Sequence, residues 1–284
     1  MPFIFLIILG VALIIATYRD ILTREVPDTL SYGLIVVGLL GGLIVALTTA
    51  DLAFFLERVY GFLLGMAIGF AMYYGRQWGG GDAKLMMGIG AIFGFNLSNF
   101  RIAEFLIFLV LAGAVYGLAF TLYLALIKHR RQFLPAFKAD LRTPAVHRLR
   151  IGLVATGVLC IILLIFVPWE LKILVGFFLL ALYFLVYSWI FVKAVERTIL
   201  VKEYPISKLT EGDWIVGDVK ARKRVVLKQR GTGITLDDIK LLKQAKVKKV
   251  TVKEGIPFVP GFMLAFIALI ILEHYGLSII KIIW

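Results

Sequence analysis

Apolar residues in this chain come in long blocks, not at every third or fourth position. Eight blocks stand out, at about 3–18, 30–50, 59–75, 83–95, 102–127, 151–167, 171–192 and 258–282. Runs of this kind, near the roughly 20 residues that a bilayer crossing takes, are the mark of membrane-spanning helices. The first and fourth blocks, about 16 and 13 residues long, fall short of a full crossing at a rise of ~1.5 Å per residue. The pattern predicts an all-α polytopic membrane protein with six to eight transmembrane helices.

The polar stretches divide the chain further. Residues 193–256 alternate on a shorter period and predict a small α+β cytoplasmic domain. Asp213-Trp214-Ile215-Val216, Arg224-Val225-Val226-Leu227 and Val247–Val252 read as short strands. Thr235 with Asp238 three residues on predicts a capped helix whose stripe is Leu236, Ile239 and Leu242. Gly231-Thr232-Gly233 reads as a turn. The expected organisation is catalytic transmembrane helices over 1–127, a basic cytoplasmic loop over 128–150 with an amphipathic segment on the membrane, a transmembrane hairpin over 151–192, the α+β domain over 193–256 and a C-terminal helix over 257–284.

Composition agrees: 61% of the 284 residues are apolar and 17% charged, too greasy for one soluble core. A net charge of +13 raises the question of nucleic acid, but its distribution answers it. With the N-terminus outside and all eight blocks crossing, 27 of the 31 Lys and Arg residues fall inside, the expected bias beside anionic lipid. The chain is therefore expected in the cell membrane, multi-pass, with no nucleic-acid partner. Residues 2–18 lack a basic start and a cleavage site and read as a retained first span. The single cysteine, Cys160, excludes an internal disulfide and any multi-cysteine zinc site, and His129, His147 and His274 are scattered.

The chemistry concentrates at two short blocks. Asp20 follows the first block and Asp82, in Gly79-Gly80-Gly81-Asp82, precedes the fourth; both fall on the cytoplasmic side. Carboxylates at membrane depth are costly and mark function, and two that share a proton can activate water against a peptide bond. Asp20 at a helix C-terminus and Asp82 at a helix N-terminus predict that Asp82 ionises more readily and Asp20 holds the proton. Gly79, Gly80 and Gly81 read as a bare backbone strip that adopts positive φ and pairs with an extended substrate. Lys84 is expected to steady a carboxylate or reach headgroups, and Glu25 and Asp28 are the nearest negative charges for a basic substrate segment. Asp28 also reads as the N-cap of the second span. Asp51 and Glu104 read as interfacial charges, Arg58 falls on the outside, and Gly33, Gly38, Gly41, Gly42, Gly61, Gly65 and Gly69 read as sites of close helix packing.

Gly79-Gly80-Gly81-Asp82-Ala83-Lys84 resembles the G-x-G-D-x-K signature of the type IV prepilin peptidase family of GxGD aspartyl proteases. The segment Asp20 to Asp28, with Val26-Pro27-Asp28 at its end, resembles that family's first-aspartate element. The tract Lys253-Glu254-Gly255-Ile256-Pro257-Phe258-Val259-Pro260 looks like the archaeal preflagellin and prepilin peptidase branch. The resemblance covers about 1–127 and 200–284 and thins over 128–192, where the hairpin reads as an addition. It implies that Asp20 and Asp82 are the catalytic pair, working without a metal, cofactor or covalent intermediate. It also implies preflagellin or prepilin-like precursors as partners, cut at the cytoplasmic membrane face between a short basic leader and an apolar helix. With one cysteine and no glycine-rich cofactor loop, methyl transfer is not expected. The alternatives are a GxGD protease of transmembrane segments, disfavoured because no Pro-Ala-Leu occurs, and a non-enzymatic transporter or assembly subunit.

Overall fold

The structure, a computed structural model, describes residues 2–96, 100–166, 168–221, 224–229 and 233–277. The expected turn at Gly231-Thr232 and residues 278–282 of the last block lie outside these. Each apolar block forms a helix: α1 (Phe3–Thr23), α2 (Asp28–Thr49), α3 (Leu52–Tyr74), α4 (Gly80–Phe93), α5 (Arg101–Tyr123), α7 (Pro144–Phe166), α8 (Trp169–Val195) and α10 (Val259–His274). Between them lie α6 (Arg130–Asp140) and α9 (Leu236–Gln244). Among the described residues, six helices are long and apolar enough to cross a membrane: Phe3–Thr23, Asp28–Thr49, Leu52–Tyr74, Arg101–Lys128, Pro144–Phe166 and Leu171–Leu200. The chain is a multi-pass membrane protein of mainly helical fold, carrying a small α+β region.

The first block is not short. Arg19 and Asp20 do not stop α1, because Ile21 and Leu22 continue it to Thr23, giving 21 residues. Arg24 then ends the helix in the left-handed conformation (φ 61°), its N–H bonded to the Asp20 carbonyl at 2.9 Å. Asp20 therefore lies inside the last turn. The fourth block stays short, with 14 residues in α4.

The chain divides into two compact units, one holding the described parts of Met1–Ala119 and Tyr204–Trp284, the other Phe120–Glu203. The first is built around α4, whose residues from Leu85 to Phe93 are almost all buried by α1, α2 and α3. Glycine makes this packing close enough for backbone to meet backbone. A Cβ on Gly61 would stand 2.2 Å from the Gly90 carbonyl oxygen, on Gly65 2.6 Å from that of Met86, and on Gly69 2.8 Å from that of Ala83. Gly38 meets Ala91 in the same way, while Gly33 faces open space and packs against nothing.

Arg58 and Glu104 are both buried against the protein. Arg58 is part of α3, not the loop before it. It bonds the Ile92 carbonyl at the end of α4 and lies over the Phe54 and Phe5 rings, 4.4 and 5.4 Å away. A cation at the α4 C-terminus meets the negative end of that helix. Asp51 instead caps α3 by accepting the Phe54 N–H.

Strand β1 (Val201–Pro205) straddles the boundary between the units, and the α+β region of the first unit holds β2 (Trp214–Ile215), β3 (Val219–Ala221), β4 (Arg224–Leu227) and β5 (Lys249–Lys253) among the described residues. β2 pairs antiparallel with β5, Trp214 opposite Lys253, and β3 pairs antiparallel with β4. Thr235 and Asp238 form the expected capping box of α9. Ile239 and Leu242 enter the core, but Leu236 points outward, 57% exposed. Tyr204 donates its hydroxyl to the Glu254 carboxylate.

In the second unit α6 is the amphipathic segment expected over the basic loop. Its apolar side is already occupied: Phe133 stacks on Phe137 at 5.3 Å and meets Phe191 of α8 edge-on at 5.2 Å. That contact gives part of the apolar face of α6 a partner within the protein. Arg197 pairs with Asp140 in the same unit.

Candidate active site

Asp20 sits in the last turn of α1 with only 6% of its surface exposed. A carboxylate so placed must find donors, and Asp20 Oδ2 accepts the Val259 N–H at 2.9 Å. Val259 opens α10, with Pro260 following. Asp20 is thus at the negative end of one helix and the positive end of another. The expectation that the two aspartates differ in their helix fields counted only α1; α10 adds a field of the opposite sense.

Asp82 lies in the first turn of α4, half-buried, and its Oδ2 accepts the Gly79 N–H at 3.0 Å. Each aspartate therefore accepts backbone N–H from the start of a helix. The two are brought to the same end of the unit, where the charge of Asp20 acts directly on Asp82. Tyr116 of α5 lies within the electrostatic reach of Asp20 and Arg24.

The turn between α1 and α2 makes this meeting possible. Val26 is buried against Gly81, where a Cβ would stand 3.1 Å from that of Val26. On the other side Trp78, 5% exposed, packs its ring 5.3 Å from Phe262 and 6.1 Å from Phe258. The start of α4 is thereby fixed to the start of α10. None of Gly79, Gly80 and Gly81 has a positive φ. Their expected conformational role is replaced by one of space: Gly81 admits Val26, while Gly79 and Gly80 leave an exposed, side-chain-free edge beside Asp82.

Lys84 steadies a carboxylate, that of Asp28, with Nζ 2.7 and 2.8 Å from its two oxygens and 5.5 Å from the Tyr32 ring centre. Pro27 takes the N-cap position of α2, and Asp28, one residue later, turns to Lys84 instead of capping. Glu25 is exposed on the same turn. Among the described residues no three His, Cys, Asp or Glu side chains gather closely enough to hold a metal ion.

Trp78, Val259 and Arg24 escaped the sequence reading. Trp78 directly precedes the glycine triplet, and a bulky ring beside bare backbone was the available signal. Val259 acts through its N–H, which no side-chain pattern reveals, although the flanking Pro257 and Pro260 mark a helix start.

Residues 7–122, which include both aspartates, match the model of the type IV leader peptidase family. The chain is 30% identical to the preflagellin peptidase of Methanocaldococcus jannaschii over 83 residues, 29% of this chain and 35% of that protein. It is 34% identical to the preflagellin peptidase of Methanococcus voltae over 80 residues, 28% of this chain and 34% of that protein. For the preflagellin peptidase of Methanococcus maripaludis the figures are 33% over 86 residues, 30% and 37%. The chain spans only about a third of the length of the curated relatives it matches. No solved structure matches it significantly. The resemblance read from the two aspartate segments, to this family and to its archaeal preflagellin peptidase branch, is borne out.

Proposed function

We propose that this protein is a membrane-embedded aspartyl endopeptidase that removes the short basic leader from preflagellin or type IV prepilin-like precursors at the cytoplasmic membrane face. The observation that carries the reading is the meeting of Asp20 and Asp82. They come from two different helices, at one end of the bundle, each anchored by backbone N–H at a helix start and close enough for the charge of Asp20 to act on Asp82.

Asp20 and Asp82 are the catalytic residues. One is ionised and one protonated, with water between them. The ionised carboxylate takes a proton as the water oxygen bonds to the scissile carbonyl carbon, and the neutral acid protonates the carbonyl oxygen. Collapse of the tetrahedral species breaks the C–N bond, and the leaving amine takes the proton from the acid that received it. The Gly80 and Gly81 N–H groups, in the first turn of α4 where helices leave donors unpaired, supply oxyanion stabilisation. Gly79 and Gly80 offer backbone to an extended substrate.

Glu25 receives positive charge from the leader. Asp28 adds a second carboxylate, held in place by Lys84. The substrate's apolar helix lies in lipid beside the spans and presents the bond at the interface. The same reading sets the N-terminus outside and the α+β domain (193–256) in the cytoplasm, with the catalytic helices over 1–127 and the hairpin over 151–192 an addition to them.

The test is cleavage of a basic-leader precursor by purified protein, followed by mass spectrometry. A fragment cut immediately before the apolar helix is expected. A cut within the apolar stretch would instead identify a protease of transmembrane segments, and no cut at all would sink the enzyme reading.

A further inference from the structure

We propose that Arg24 is a positioning residue for Asp20, acting through the segment 254–259. The inference rests on the reading of Asp20 as one of the catalytic pair. The chain leaves β5 at Lys253 and enters α10 at Val259, and the short connector between them holds the N–H that anchors the Asp20 carboxylate. Arg24 reaches across to this connector and donates from its guanidinium to the Gly255 carbonyl. It also closes α1 by giving its N–H to the Asp20 carbonyl at 2.9 Å. One residue therefore holds the backbone of Asp20 and, through Gly255, the strip of chain whose amide holds its side chain.

The backbone of Arg24 gains nothing from being arginine. Its φ of 61° is the left-handed conformation, which a residue with a Cβ adopts at a cost. Ala50 ends α2 in the same way at φ 55° with only a methyl group. Glycine would suit position 24 better as a helix end. What arginine adds is its reach to Gly255, so the connector stays in register with α1. A shift of this strip would leave a buried carboxylate without its donor, and displacements of about 1 Å near a reacting group can lower rates by about a hundredfold.

The geometry separates two roles that a single deletion would blur. Arg24→Gly removes the guanidinium while relieving the left-handed backbone, so the variant folds. Arg24→Ala removes the guanidinium and keeps the strain. If Arg24 clamps the connector, both variants lose kcat by about ten- to a hundredfold, with KM for a basic-leader precursor unchanged within about twofold. Amide exchange over 254–260 of the full-length protein in detergent rises in both by about tenfold. If Arg24 only ends the helix, Arg24→Gly cuts at the wild-type rate and its 254–260 amides exchange as in wild type; either result overturns the proposal. Exchange reports on the clamp whether or not the protein is a protease. Failure of the reading beneath the proposal would show separately, as no cut by the wild-type protein or as Asp20→Asn cutting at the wild-type rate.

Discussion

The carboxylate of Asp20 and the backbone N–H of Val259 are 239 positions apart in sequence and 2.9 Å apart in space. This bond ties the first apolar helix to the last and sets one wall of the candidate site. It also gives the segment before α10 a physical role, which is to deliver an amide to a buried acid.

Replacing either aspartate by asparagine keeps size and hydrogen bonding but removes the proton exchange. Asp20→Asn and Asp82→Asn are each expected to lower precursor cleavage by at least about a thousandfold. Unfolding temperature in detergent should move little. The check is a gel-shift cleavage assay alongside thermal unfolding of the same samples.

The glycines of the Gly79–Asp82 turn are expected to tolerate substitution unequally. At Gly81 a methyl group would stand 3.1 Å from Val26, which is itself buried. Gly81→Ala should cost about 1–2 kcal/mol and slow cleavage by displacing the turn beside Asp82. Gly80 has its nearest neighbour, the Tyr73 ring, at 3.9 Å, and Gly80→Ala should leave stability unchanged. Unfolding curves of the two variants separate space from conformation.

Deeper in the bundle, Gly61→Ala should be far worse, because the new methyl would lie 2.2 Å from a backbone oxygen of α4. Backbone cannot rotate away as a side chain can, and a cost above about 3 kcal/mol is expected. Gly33→Ala, facing open space on α2, is the control. Yield of folded protein in detergent measures both.

Lys84 and Asp28 form a partly exposed pair, with side chains 32% and 58% accessible. Such pairs contribute about 0.5 kcal/mol, and a double-mutant cycle of Lys84→Ala and Asp28→Ala should return a coupling of that size. Glu25→Lys, by contrast, is expected to raise KM for a basic leader severalfold while kcat holds. Equal kinetics with wild type would remove Glu25 from substrate binding.

Tyr204, outside the spans, donates to Glu254, and this bond pushes its pKa from 10.0 up to about 12. The protonated phenol is the bonding form, and its folded-state pKa is raised. Its contribution to stability is therefore complete below pH 10 and is lost as pH rises through about 12. Tyrosinate absorbance of wild type against Tyr204→Phe should show one late-titrating phenol.

The spans were legible because lipid imposes a one-dimensional rule: a crossing helix must be apolar along its length, and length and composition are written in the chain. The glycine rows of α2 and α3 were legible for the same reason, small residues being what close helices need. The limits of the reading lay at polar residues. Arg19 and Asp20 looked like the end of a helix that in fact runs to Thr23, since two charges near an interface do not outweigh Ile21 and Leu22. Arg58 and Glu104 looked like surface charges and are buried, since burial depends on which neighbour covers a residue. Leu236 fits the apolar stripe of α9 by spacing but is exposed.

The sequence by itself determined that this is a multi-pass protein, that two short polar motifs hold its aspartates, and that they resemble those of a leader peptidase. Only the tertiary structure decided that Asp28 belongs to Lys84, that Val26 fills the space left by Gly81, and that α10 brings Val259 to Asp20. Local pattern reports what each segment can bury. Which backbone amide reaches which carboxylate depends on how distant helices pack, and a main-chain donor leaves no trace in the identity of its residue.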